Sequence, residues 1–127
     1  MKYSKHVTIE ETERFYNQVR HLPQNLQAEV VEAVNLICES LMHYENRRLY
    51  AIAIPEDVHF PNGFSKDDVA IRAYRLDNEL RLLLTIFEEE YSNQKFIKLY
   101  SIVRPDSYSK EYQYIIDNIF EQILVLR

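Results

Sequence analysis

Between residues 24 and 44 the apolar side chains recur with the period of a helix. Leu26, Val30, Ala33, Ile37 and Leu41 fall on one stripe, Val34 widens it, and Glu29, Glu32 and Glu39 lie mostly off it. Upstream, Phe15, Val19 and Leu22 share a second helical face, which predicts a helix over 10–21. Thr8 and Glu11 stand at capping-box spacing ahead of it, where a hydroxyl and a carboxylate satisfy the free amides of a first turn. His21-Leu22-Pro23 ends that helix, because Pro23 disfavours α geometry in the residue before it. The two helices therefore form an αα-hairpin, preceded by the short β-prone run Val7-Thr8-Ile9.

The pattern changes in the second half of the chain. Residues 69–76, 80–87 and 95–104 read as strands, with Asp77-Asn78-Glu79 as the first turn and residues 88–94 as the second. Connections this short require antiparallel pairing, hence a meander. Residues 49–54 are either a short strand or a packed extended segment. Pro55, Pro61 and Asn62-Gly63 then mark a loop that covers a site or is simply an insertion. From 109 to 126 Tyr112, Ile116, Ile119 and Ile123 return to helical spacing, flanked by Ile115, Phe120 and Leu124. The expected class is α+β. A single domain over residues 1–127 has an N-terminal strand and a helical hairpin packed on a mainly antiparallel sheet, with a C-terminal helix.

Composition narrows the chemistry. With Gly63 as its single glycine, the chain excludes phosphate loops and dinucleotide fingerprints built on several glycines. Cys38 is its one cysteine and falls in the helical apolar pattern, as a buried inert thiol would. His6, His21, His43 and His59 lack metal spacing, so neither a metal nor another cofactor is expected. The start Met1-Lys2-Tyr3-Ser4-Lys5 leads into no apolar run, and no stretch approaches the roughly 18 apolar residues of a membrane span. A cytoplasmic protein without membrane contact is the expectation. The net charge of −5 argues against a nonspecific nucleic-acid coat, although it says nothing about a single cleft.

Resolved along the chain, that charge looks different. Within the three strands the charged residues are Arg72, Arg75, Arg81, Lys95, Lys98 and Arg104, all basic, while Asp77, Glu79, Glu88, Glu89 and Glu90 fall in the turns. Such cations either solvate an open face and blunt sheet edges, or converge to clamp a phosphate. Alternation limits the second option. Leu80, Leu82, Leu84 and Ile86 form one row, so Arg81 points the other way with Leu83, Thr85 and Phe87. Arg72 and Arg75 are three apart and share a face only across a bulge. Ten tyrosines and no tryptophan add a second bias, with Tyr91, Tyr100, Tyr108, Tyr112 and Tyr114 late in the chain. Tyrosine with arginine suits stacking on single-stranded bases, and equally suits core edges with wet hydroxyls. No Ser-His-Asp set or close carboxylate pair stands out.

This order of elements, with several local matches, resembles the RelE/ParE superfamily of bacterial toxin–antitoxin toxins. Val7-Thr8-Ile9-Glu10-Glu11-Thr12-Glu13-Arg14-Phe15 looks like its first strand running into its first helix, and His21-Leu22-Pro23 is similar to its hairpin connection. Ile71-Arg72-Ala73-Tyr74 and Leu80-Arg81-Leu82-Leu83-Leu84 resemble its arginine-bearing strands. Ile97 to Val103, then Arg104-Pro105-Asp106-Ser107-Tyr108, looks like the last strand and its exit motif. The likeness covers most of residues 7–108. Pro105 stands where the exit motif often carries histidine, the loop over 53–68 is longer than usual, the terminal helix is extended, and the acidic total is atypical of messenger-cleaving members.

For the nuclease branch, the resemblance implies metal-independent cleavage of mRNA on the ribosome. A 2′-hydroxyl attacks the adjacent phosphate, basic side chains hold it, and a proton reaches the leaving 5′-oxygen. Carried over residue by residue, Arg72 and Arg81 would clamp the phosphate, while Arg104 and Tyr108 take the exit-motif positions, Tyr108 as acid/base or stacking residue. Arg75, Lys98 and Tyr100 would bind RNA beside them. A cognate antitoxin, the ribosome and mRNA are the implied partners, and a homodimer is left open. The alternatives are a non-catalytic relative that binds a protein target, gyrase-type or regulatory, and an unrelated binding domain. Lack of toxicity, with a sheet face that fails to join Arg72, Arg81 and Tyr108, would point to the last.

Overall fold

The chain turns from strand into helix at Thr12, four residues beyond the Thr8 expected to cap it. In the computed structural model, which describes residues 6–42, 49–52, 54–77, 79–89 and 91–125, strand β1 (Val7–Glu11) holds both Thr8 and Glu11 in extended backbone. Thr12 Oγ1 accepts from the Phe15 amide at 3.1 Å and so caps helix α1 (Glu13–Arg20). The same hydroxyl donates to the Tyr100 carbonyl at 2.9 Å. The correction has a tertiary cause: β1 pairs in parallel with the last strand, from Val7 opposite Lys95 to Glu11 opposite Leu99. That ladder uses the backbone groups a capping box at Thr8 would have needed.

Helix α2 (Gln24–Met42) starts behind Pro23, whose carbonyl accepts from the Leu26 and Gln27 amides at 3.0 Å each. Gln27 closes the hairpin by donating from Nε2 to the Leu22 carbonyl at 2.9 Å. The predicted stripe is the buried one: Val30, Ala33, Val34 and Ile37 are in the core. Cys38 joins them, and burial pushes its thiol up, so it stays protonated and inert. His43, Tyr44, Ala53, Asn78, Glu90, Leu126, the segment 1–5 and the side chains of Ile123 and Leu124, all used in the sequence reading, lie outside the described residues.

Strands β2 (Leu49–Ala51), β3 (Arg72–Arg75), β4 (Arg81–Glu89) and β5 (Gln94–Val103) complete a five-stranded sheet in the order β1-β5-β4-β3-β2. Every neighbouring pair but β1–β5 is antiparallel. The fold is thus α+β, with a mostly antiparallel sheet and three helices. Phe15, Val30, Val34 and Ile37 from the hairpin pack with Tyr74, Leu82, Leu84, Ile97 and Leu99 on one face. Helix α3 (Tyr108–Val125) follows a 3₁₀ turn, Pro105–Ser107, and covers the other face with Tyr112, Ile115, Ile116 and Phe120 against Ala73, Leu83, Tyr100 and Val103. Leu82, Leu83 and Leu84 are therefore buried in succession, as the middle of a twice-covered sheet requires.

One irregularity matters later. Leu83 pairs with Ser101 and Leu84 with Leu99, so Tyr100 is an extra residue on β5. Tyr100 faces the α3 layer, and the bulge lets Leu99 and Ile102, three residues apart, both stay on the hairpin side.

The loop after β2 is a second packing layer. Phe60 and Phe64 sit against the Phe120 ring, with centroids 6.2 and 4.5 Å away. Gln113 on α3 donates to the His59 carbonyl at 2.9 Å and accepts from the His59 amide at 2.7 Å. Gly63, with φ of +90°, supplies the left-handed residue of its turn. Arg14 and Glu111 form a bidentate ion pair, with Nε to Oε2 at 3.1 Å, that ties the start of α1 to α3. Among the described residues no helix is long and apolar enough to cross a membrane.

Because the Thr12 hydroxyl both caps α1 and reaches β5, Thr12→Val, which keeps the shape and removes both bonds, is expected to cost about 1–3 kcal/mol in urea denaturation. Thr12→Ser should retain most of that stability.

Candidate anion-binding site

Strand alternation places Arg81 on the α3 face, two residues from Leu83. It is the first residue of β4, at the mouth of the sheet, and only 9% exposed. Its Nη1 donates to the Asp77 carbonyl at 2.6 Å and the Leu80 carbonyl at 3.0 Å, and its Nε donates to the Tyr50 hydroxyl at 3.0 Å. The tight turn makes this possible. Asp77 Oδ1 accepts from the Glu79 and Leu80 amides at 2.7 and 2.6 Å, which commits its carboxylate to the turn and leaves its carbonyl for the guanidinium.

No acidic side chain forms an ion pair with Arg81 among the described residues. A nearly buried guanidinium normally needs a counter-charge, and polar neighbours alone do not neutralise it. Directly opposite on β3 stands a second cation, the exposed Arg75. Like charges facing each other across a pair of strands repel, which adds to the local positive potential. The start of α3 lies at the same place, and the helix contributes a further partial positive charge at its first turn.

Three tyrosines line this end of the sheet. Tyr50 and Tyr108 hydroxyls are 3.4 Å apart, the Tyr108 and Tyr112 rings meet edge to face at 6.4 Å, and Tyr112 donates to the Ile52 carbonyl at 3.3 Å. Burial and the Tyr50 hydroxyl raise the Tyr108 phenol, and Arg81 and Arg75 only partly counter this. Tyr108 is therefore neutral near pH 7, a hydrogen-bond donor and not a base. Burial likewise raises Tyr112. The arrangement can hold an oxyanion between two guanidinium groups and a phenolic O–H.

The residues singled out from sequence divide into three groups. Arg81, Arg75 and Tyr108 come together. Arg104 follows Val103, the β5 partner of Arg81, and is exposed at the same end of the sheet, its carbonyl accepting from the Ser107 amide at 2.9 Å. Arg72 does not join. It pairs with Leu84, three residues from Arg81, and an odd offset puts it on the hairpin face. The expected pairing of Arg72 with Arg81 is corrected: Arg75, not Arg72, faces Arg81. No bulge interrupts β3 between Arg72 and Arg75, so they stay on opposite faces.

Lys98 and Tyr100 belong elsewhere. Lys98 pairs with Thr85, about 13 Å along β4 from Arg81. Its ammonium lies 3.9 Å from Glu10 and over the Tyr100 ring at 5.3 Å. Tyr100 is 3% exposed, with no face free to stack on a base. Tyr50 is the member that sequence reasoning missed. Its place depends on β2 pairing with β3, which sets it beside Ala73, and nothing local to residues 49–54 signals the hydroxyl contacts. Among the described residues no three His, Cys, Asp or Glu side chains gather to hold a metal. No family model, curated protein or solved structure matches the chain.

Burial pushes the Tyr100 phenol up to about 12. Folding thus favours its neutral form, and this contribution is complete below about pH 10, where the unfolded phenol begins to ionise. As pH rises from there toward the folded value, stability is expected to fall by up to about 1.4 kcal/mol per pH unit for this group. Urea unfolding followed between pH 8 and 11 checks it, and Tyr100→Phe should flatten the alkaline slope.

Proposed function

We propose that this chain is a RelE/ParE-like toxin of a type II toxin–antitoxin system, or a close relative, that holds an RNA phosphodiester at Arg81, Arg75 and Tyr108. The observation that carries this reading is the nearly buried Arg81 guanidinium, faced by Arg75 and unmatched by any acidic side chain among the described residues. A phosphodiester supplies the missing charge, and two guanidinium groups suit its geometry. With one glycine in the chain, side chains and not a backbone cradle would do the holding. The acidic remainder of the surface suits recognition of a single phosphate position over extended tracking along nucleic acid. A cognate antitoxin would silence the protein by covering this basic end.

In the cleaving form of this reading the chemistry runs through these side chains and solvent. The 2′-hydroxyl attacks the adjacent phosphorus and loses its proton to solvent water, and the P–O5′ bond breaks to leave a 2′,3′-cyclic phosphate. Arg81 and Arg75 stabilise the charge that builds on the phosphoryl oxygens, and the neutral Tyr108 phenol donates its proton to the leaving 5′-oxygen and regains one from solvent. Its raised pKa makes it a weak proton donor and no base at neutral pH. That observation favours a second reading, a non-catalytic relative that uses the same cationic end to hold an acidic surface of a protein target.

Induced expression separates the two. The first reading expects growth arrest with cleavage of translated messages, both lost in Arg81→Ala. Growth arrest without cleavage selects the second. In vitro, Arg75→Gln, at an exposed position that should not disturb folding, is expected to weaken binding of a short single-stranded RNA several-fold. It should also lower the salt dependence by about one ion, read by fluorescence anisotropy at several salt concentrations. Unchanged binding in Arg75→Gln would remove the anion site from the reading.

A further inference from the structure

The opposite face of the sheet carries a cleft of different character. Between α2 and β3 lies a space of about 270 Å³, lined by Glu29, Glu32, Ala33 and Leu36 from the helix and by Tyr74 and Leu76 from the strand and its exit. Ala33 is the reason that it exists: its methyl faces the sheet where a larger side chain on the same stripe would fill the gap. At roughly 30 Å³ per water molecule, the space holds several waters or one short alkyl chain.

Its lining is chemically specific. Tyr74 is fully buried and forms part of the wall, yet its hydroxyl has no hydrogen-bond partner among the described residues. Buried hydroxyls are ordinarily paired, so an unpaired one needs an explanation. Glu29 and Glu32, three residues apart on α2, are both exposed and bring two carboxylates to the same cleft. Neither forms an ion pair among the described residues. Ala33, Leu36 and Leu76 supply apolar wall.

We propose that this cleft binds an alkylammonium group. A primary ammonium has three donors and no acceptor, which matches two carboxylates and one phenolic oxygen. Its methylene stem lies along Ala33, Leu36 and Leu76, as such stems do on apolar surface. An anion is repelled by both glutamates, and a neutral alcohol leaves their charges unanswered. The same group reaches the cleft from two sources, a free di- or polyamine or a lysine side chain of a peptide. This site is independent of the Arg81 end, from which the sheet separates it.

The test is an amide-resolved NMR titration of the intact chain with n-butylammonium, against n-butanol as the neutral counterpart. Saturable shifts in the millimolar range, centred on Ala33, Leu36 and Leu76, are expected with the amine and not with the alcohol. Glu29→Gln with Glu32→Gln should weaken binding about tenfold or more, and Ala33→Leu should abolish it by filling the space. Tyr74→Phe is the decisive variant. It removes a hydroxyl that has no partner, so it should fold at least as stably as the parent while losing affinity several-fold. Equal response to butanol, or undiminished binding in the double glutamine variant, overturns the proposal. Tighter binding of 1,4-diaminobutane than of butylammonium assigns a free diamine. Tighter binding of a short peptide with one internal lysine assigns a protein side chain.

Discussion

The pairing of β4 with β5 is the constraint from which the rest of the molecule follows. It runs from Arg81 opposite Val103 to Glu89 opposite Gln94, in the middle of a sheet covered on both faces. Once that register is set, each side chain on the neighbouring strands is assigned to the hairpin layer or the α3 layer by odd or even offset. Leu82, Leu83 and Leu84 can be buried in a row only because both layers are present. The bulge at Tyr100 adjusts this scheme at one point, keeping Leu99 and Ile102 in one core and Tyr100 and Val103 in the other although each pair is three residues apart.

The same register explains why charge collects where it does. An ion is costly in the centre of a strand covered on both sides: Arg81 and Arg75 stand at strand ends, and Lys98, midway along β5, has Glu10 as a counter-charge. Arg81 sits at the first residue of β4, where the turn carbonyls of Asp77 and Leu80 and the Tyr50 hydroxyl take its donors. These are polar partners without charge. They orient the guanidinium and leave its positive potential standing, and Arg75 across the ladder increases it. The whole-chain charge of −5 conceals this, since β3 carries no acid and the acids of β4, Glu88 and Glu89, stand at the end far from Arg81.

The two sites on opposite faces of the sheet thus present opposite chemistry. The α3 face ends in guanidinium groups and phenols at the mouth of β3 and β4. The hairpin face has Glu29 and Glu32 above a buried phenol at the other side of β3. Tyr74 and Arg75 are adjacent in sequence and serve different layers, because successive strand residues point oppositely. A substitution at one site should leave the other's direct contacts intact, since the sheet keeps the two sets of side chains apart.

Much of the architecture was legible along the chain. The α2 stripe, the Pro23 break, the three strands of the meander and the terminal helix all follow from local periodicity and turn chemistry, and the structure has them within a few residues. The facing of Arg81 was legible too, because alternation against the Leu80–Leu82–Leu84 row is a local rule. Thr12, Tyr50 and the Arg75–Arg81 pair were not. Thr12 caps α1 because β1 is drawn into a parallel ladder with a strand some ninety residues away. Tyr50 meets Arg81 only when β2 closes on β3. Local spacing determines which face a side chain takes within its own strand. Which residues of different strands then share a site depends on inter-strand register, and that is settled by long-range burial.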